Sequence, residues 1–162
     1  MPVIGHLRLQ DREGTAIVFE VRIEPERRLD GERWHFVVRP VEPADGSDES
    51  YFATVREIGP EVARVDTTTN ALPQRFHGCG ISRALFPRVA STLNRTLQSS
   101  RNAPLRGSRT TAVGGVSLTV SSAEESLSPP ARAVWERLVR EGLATFDARS
   151  DRFNCRASQQ AF

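Results

Sequence analysis

The chain has 162 residues, with 22 basic side chains, all arginine, against 20 acidic ones, a net charge of +2, and 38% hydrophobic residues. That composition excludes a disordered chain and suffices for one domain to bury its own core. The apolar runs are only a few residues long, which excludes a spanning helix of roughly 20, and the absence of lysine removes Schiff-base and P-loop lysine chemistry.

The two cysteines, Cys79 and Cys155, are too few for a disulfide framework, so a reducing cytoplasm is expected. Met1–Gln10 has neither the basic start nor the apolar run of a secretory signal. Arg27 and Arg28 are the only adjacent arginines and are flanked by Glu24, Glu26 and Asp30. A phosphate-tracking nucleic-acid surface needs a more concentrated patch, so nucleic acid is not an expected partner.

Taken in chain order, the first half reads as four antiparallel strands. Ile17, Phe19, Val21 and Ile23 alternate with Val18, Glu20 and Arg22, the period of a half-buried strand. The polar stretch from Pro25 to Gly31 predicts a break, and Trp34, Phe36 and Val38 restart the alternation as the second arm of a hairpin. Pro40 to Ser50 predicts a polar loop, Tyr51 to Ile58 a third strand closed by Gly59-Pro60, and Val62 to Thr67 a fourth. The second half changes period. Ile81, Leu85, Val89, Leu93 and Leu97 recur every four residues and predict a long helix, with Pro87 inside it. Asn102 to Ser128 reads as a loop, within which Val113 to Val120 can form one more strand. Ser128, Pro129 and Pro130 suit a helix start, Val134, Trp135, Leu138 and Val139 its apolar face, and Gly142 its end. Ala144 to Asp147 and Arg152 to Asn154 predict a closing hairpin. The expectation is one α+β domain over residues 1–162.

The chemistry-bearing stretch lies between the fourth strand and the first helix, from Leu72 to Phe86. Gly78 and Gly80 let the backbone turn tightly and approach a ligand with no Cβ in the way. The helix beginning there aims its free N–H groups and positive dipole end at the same point, so strand, loop and helix start together predict an anion site of pyrophosphate size. The bland alternative is a tight strand-to-helix turn with no ligand.

His77-Gly-Cys-Gly-Ile-Ser-Arg-Ala-Leu-Phe86 resembles the acetyl-CoA loop of the GNAT acetyltransferase superfamily, commonly Arg-Gly-x-Gly-Ile-Gly followed by x-Ala-Leu-Leu. Arg75-x-x-Gly78-x-Gly80 also satisfies the family's Gln/Arg-x-x-Gly-x-Gly/Ala rule. Ala133 to Leu143 is similar to the family's C-terminal helix and turn, with altered spacing around Trp135. The resemblance covers about Val62 to Phe153. It implies a GNAT-like fold, mostly antiparallel, with a long helix after the glycine loop and a C-terminal helix with closing strands. It also implies acetyl-CoA as co-substrate, direct acetyl transfer to an unidentified amine, and no metal. The pyrophosphate would be held by Arg75 and the backbone of His77, Gly78, Cys79, Gly80, Ile81 and Ser82, with the fifth strand within Val113 to Val120. The chain departs from the family in having His77 for the usual arginine, Ser82 for the final glycine, Trp135 where a tyrosine often serves as general acid, and no helix pair between its first two strands. These departures leave a second reading open: a catalytically inactive GNAT-like module that binds a protein partner or ligand.

Aminolysis of a thioester needs a neutral amine, and a carboxylate is a common proton acceptor. Asp66 and Glu57, on strands near the expected cleft, are the candidate bases, with the alternative that each pairs with an arginine. Cys79, between the glycines at a helix start, is either reactive or a loop-filling thiol. His6, His35 and His77 show no metal-ligand spacing. Exposed strand edges make a homodimer possible.

Overall fold

The computed structural model describes residues 1–42, 49–103, 105–113, 116–124, 126–158 and 162, and between 105 and 124 it describes the backbone alone. Part of the polar loop expected over Pro40 to Ser50, residues 43–48, lies outside the described residues.

Five strands precede the glycine loop: β1 (Val3–Gln10), β2 (Ala16–Arg28), β3 (Gly31–Pro40), β4 (Tyr51–Glu57) and β5 (Val62–Asn70), each antiparallel to the one before. Their alternation sends Phe19, Val21, Trp34, Phe36, Val38, Tyr51, Ala53, Val55, Ala63 and Val65 to one buried face. Burying side chains of this size stabilises by roughly 1.5–3 kcal/mol each. Polar residues such as Arg33, His35, Thr54 and Arg56 take the alternate positions and face each other across β3 and β4.

Helix α1 (Ile81–Leu93) lays Ile81, Leu85, Phe86, Val89 and Ala90 on the apolar face. Strand β6 (Thr96–Gln98) then enters beside β5 in parallel. Strands β7 (Leu105–Val113) and β8 (Val116–Glu124) form a separate two-stranded antiparallel sheet. Helix α2 (Pro129–Arg140) starts as its sequence predicts, with Ser128 Oγ accepting the Ala131 N–H at 3.3 Å. Trp135 and Leu138 turn inward, and Trp135 lies 5.0 Å from Phe86 and 6.1 Å from Phe153, ring centre to ring centre. Strands β9 (Thr145–Asp147) and β10 (Arg152–Cys155) complete the main sheet in the order β1-β2-β3-β4-β5-β6-β10-β9. Among the described residues, no helix is long and apolar enough to cross a membrane.

The GNAT-like fold expected from the resemblance is corrected here. The main sheet is a curled, mixed sheet of eight strands, and the helix after the glycine loop is not long. It ends at Leu93, after thirteen residues, because Asn94 turns left-handed (φ 49°) and caps it. Leu97, which matches the helical spacing, is fully buried in β6 instead. The strand beside β5 is therefore β6; of the segment expected to supply it, Val113 and Val116 to Val120 belong to the separate two-stranded sheet, and 114–115 lie outside the described residues. The expected break at Pro25 is also absent, since β2 runs on to Arg28. Pro25 is tolerated there because β1 pairs with β2 only as far as Arg22, leaving the missing N–H on an open strand edge. Strand β1 lies outside the four strands read from the sequence.

Candidate functional site

Two features of β5 open a gap in the sheet. The register with β4 steps from Thr54↔Thr67 to Val55↔Val65, so Asp66 is the extra residue of a β-bulge. On its other side β5 pairs with β6 only at Val62↔Thr96, Ala63↔Leu97 and Arg64↔Gln98. From Val65 onward the strand has no β6 neighbour. A cavity of about 310 Å³ occupies that place, lined by Val65 to Thr69 of β5, by Ser82 and Phe86 of α1, by Ser100, and by Ser126 to Ser128, Ala131, Val134 and Trp135. Leu127 is held there by its N–H to the Arg101 carbonyl, 2.9 Å, at the root of the β7–β8 hairpin.

A second cavity, about 630 Å³, adjoins the first and shares Thr68, Ser82, Ser128, Ala131 and Val134 with it. It runs along the glycine loop, past Gly78, Cys79, Gly80 and Ile81, and is flanked by Arg83 of α1 and by Arg137 and Arg140 of α2. Arg83 and Arg137 both bond Glu141, at 3.0 and 3.2 Å, so three guanidiniums face one carboxylate and the groove keeps a positive excess. Arg12 Nε lies 3.3 Å from where a Cβ on Gly78 would sit, so a side chain at that position would press on it. Gly78 (φ 75°) and Gly80 (φ 86°) are both left-handed, and Gly80 is the N-cap of α1. A side chain there would be strained, so glycine is what permits this loop shape. The first-turn N–H groups of α1 have no partner within the helix and carry the positive end of its dipole. The chemistry of this donor set suits a phosphate-bearing ligand.

The residues expected to hold the ligand divide into two groups. Gly78, Cys79, Gly80, Ile81 and Ser82 line the groove. Arg75 does not: in the single 3-10 turn Gln74–Phe76 its guanidinium lies 4.4 Å over the Phe76 ring and lines a different cavity, with Asp11, Ile17 and Glu42. His77 serves the loop from behind, its Nε2–H donating to the Leu72 carbonyl at 2.8 Å. Cys79 is a loop-filling thiol. It donates to the Phe76 carbonyl at 3.0 Å, and burial pushes its pKa up, partly offset by the N–H groups of Cys79 and Ile81, which is the opposite of activation.

The two candidate bases lie apart and are both engaged. Asp66 is bonded by Arg56 at 3.2 Å and Arg33 at 3.7 Å, although its residue borders the gap. Glu57, at the far end of β4, accepts the Glu32 N–H at 3.0 Å and pairs with Arg95 at 3.1 Å; these contacts, the Glu32 N–H first, hold its carboxyl below its ordinary value. It borders neither cavity of the groove. Trp135 is 1% exposed and part of the core. Among the described residues, no group of His, Cys, Asp and Glu side chains is placed to hold a metal ion.

Sequence reading missed the residues that give the groove its polarity. Arg137 and Arg140 are one helical turn apart on α2, and nothing local says that they face α1. Tyr51 is the chain's single tyrosine and sits 3% exposed at the groove, its hydroxyl 2.6 Å from Ser82 Oγ. Its only sequence signal was that singularity. The chain matches no protein-family model, no curated protein and no solved structure.

Proposed function

We propose that the protein binds a CoA thioester, acetyl-CoA in the simplest case, along this groove and transfers the acyl group to an amine. The observation that carries the reading is the continuity of the arginine-flanked glycine loop with the gap beside β5. A ligand with phosphates at one end and a neutral arm at the other matches that polarity. The phosphates lie against the first-turn N–H groups of α1 and the guanidiniums of Arg83, Arg137 and Arg140. The arm passes Ala131 and Val134 toward Phe86 and Trp135. The likeness of His77 to Phe86 to an acetyl-CoA loop supports the same ligand. The amine nitrogen attacks the thioester carbonyl carbon, the C–S bond breaks, and the proton lost by nitrogen balances the leaving thiolate. The bulge leaves Asp66 without a β4 partner, and a main-chain N–H of β5 beside the gap donates to the developing oxyanion.

One observation favours a second reading, a ligand- or partner-binding module without transfer. Asp66 is held by two arginines and Glu57 stands away from the groove, so neither carboxylate is free to take the proton. Calorimetric titration with acetyl-CoA, repeated on Gly80→Glu, tests binding. Micromolar affinity in the parent, reduced at least about a hundredfold in the variant, is expected. No heat from folded parent at millimolar ligand rejects acyl transfer and leaves a module that binds another ligand or a protein partner. Where CoA binds, thiol release across a panel of amines separates the two readings, since binding without release selects the module.

A further inference from the structure

The groove contains one buried ionisable group that the acyl-transfer reading leaves without a task. Tyr51 is 3% exposed, yet its hydroxyl is not spent on the core. It lies 2.6 Å from Ser82 Oγ, and the nearby Thr68 hydroxyl also opposes the rise that burial gives its pKa. Thr68 and Ser82 both line the two cavities, at the place where these meet. A phenol has one proton to give. When it is given to Ser82 Oγ, the serine proton is left to point into the groove. Bonds in such a chain polarise one another, so its last donor is strengthened and its rotor fixed. Ser82 stands in the first turn of α1, immediately after Gly80 and Ile81 and before Arg83, all of which line the groove.

We infer that the Ser82 hydroxyl is a side-chain donor to a phosphate oxygen of the ligand, and that Tyr51 is the positioning residue that turns the serine proton toward it. This deepens the CoA reading and rests on it for the identity of the ligand, while the hydroxyl chain itself is tested with a simpler phosphate compound. Tyr51 touches no ligand. Its contribution passes entirely through Ser82, and that dependence separates it from a residue that merely fills the core.

The test titrates CoA and inorganic pyrophosphate into the full chain and into Ser82→Ala, Ser82→Thr, Tyr51→Phe and the double variant Tyr51→Phe/Ser82→Ala. Ser82→Ala is expected to weaken both ligands about tenfold, the scale of one hydrogen bond to a charged group. Ser82→Thr keeps a hydroxyl and restores most of the affinity. Tyr51→Phe is expected to weaken both ligands about threefold in the parent and not at all when Ser82 is already alanine. If Tyr51→Phe does not fold, Ser82→Ala and Ser82→Thr still test the serine donor, and equal affinities in those two variants overturn the inference. Equal losses from Tyr51→Phe in both backgrounds, or an unchanged affinity in Ser82→Ala, overturn the inference. A parent that binds pyrophosphate but not CoA overturns the CoA reading and leaves the hydroxyl chain standing; a parent that binds neither overturns both.

Discussion

On the face of the main sheet covered by α1 and α2, polar groups are few and gathered at one end. The hydroxyls of Tyr51, Thr68 and Ser82 and the guanidiniums of Arg83, Arg137 and Arg140 border a groove whose floor is Phe86, Val134 and Trp135. On the opposite face, carboxylates are spread out and already engaged: Glu20 by Arg22, Glu26 by His35, and Asp66 by Arg56 and Arg33. Ion pairs as exposed as these contribute little to stability, and their carboxylates are occupied. Groups held apart from opposite charge can meet a ligand, whereas groups that neutralise one another mainly keep a sheet surface wet. In the groove three guanidiniums face the single carboxylate of Glu141, so an anion placed there meets positive charge that is not already neutralised.

Four perturbations sharpen that contrast, the first two on stability and the last two on binding. Trp135→Ala removes the largest fully buried side chain of the groove floor and is expected to cost about 3–5 kcal/mol, lowering Tm by about 10 °C in a thermal melt. A loss under 1 kcal/mol would mean that the floor is not part of the core.

Alkaline titration gives the next effect. Burial pushes the Tyr51 phenol up to about 12 from its ordinary 10.0, with the hydroxyls of Ser82 and Thr68 opposing. Between those values the folded chain holds a proton that the unfolded chain releases. The stability is therefore complete below pH 10 and falls by about 2–3 kcal/mol as pH rises to 12. With no lysine in the chain, the other groups that lose protons here are the buried thiols, Cys155, raised to about 11, and Cys79, also raised. Urea melts of the parent and Tyr51→Phe across this range should differ in the window from pH 10 to 12. Near-UV phenolate absorbance, from a single tyrosine, checks the titration directly, and a midpoint near 10 would contradict its burial.

Replacing Arg137 and Arg140 together by alanine should weaken CoA about tenfold, or about 1.4 kcal/mol, and flatten its salt dependence, measured by titration at two ionic strengths. Asp66→Asn is the smallest. Affinity for CoA should stay within about twofold and stability within about 1 kcal/mol. If thiol release collapses in Asp66→Asn while CoA binding is intact, Asp66 is the base and the contrast between the faces fails.

Much of the strand content was legible, because alternation at Ile17–Ile23, Trp34–Val38, Tyr51–Ile58 and Val62–Thr67 reports burial on one face. The extent of β2 was not, because proline is read as a break unless the neighbouring strand's length is known. Helix α2 was legible through Ser128, Pro129 and Gly142, whose effects are local. Helix α1 was overextended because Leu97 continues a period of four, and burial in a strand satisfies a leucine as well as burial on a helix. The GNAT-like fold was inferred from a short loop, and a loop of ten residues constrains the curl of an eight-stranded sheet very weakly. Within the candidate site, the glycines and Ser82 were legible by type and spacing. Arg75 was placed in the groove by its spacing from Gly78, but the turn at Gln74–Phe76 sends it to the other side. Tyr51, Arg137 and Arg140 were hidden because they approach from elements far away in the chain.

By itself the sequence determined the strands by their alternation, the start of α2 by its cap, and the turn at Gly78 and Gly80 by the absence of a Cβ. Each depends on forces acting within a few residues. The tertiary structure alone decided that β6 rather than the later hairpin flanks β5, that the bulge at Asp66 stands where those strands part, and that arginines of α2 meet the first turn of α1. It also decided that Asp66 and Glu57 are tied to arginines. These are pairings between distant segments, set by which surfaces bury together, and no local pattern encodes them.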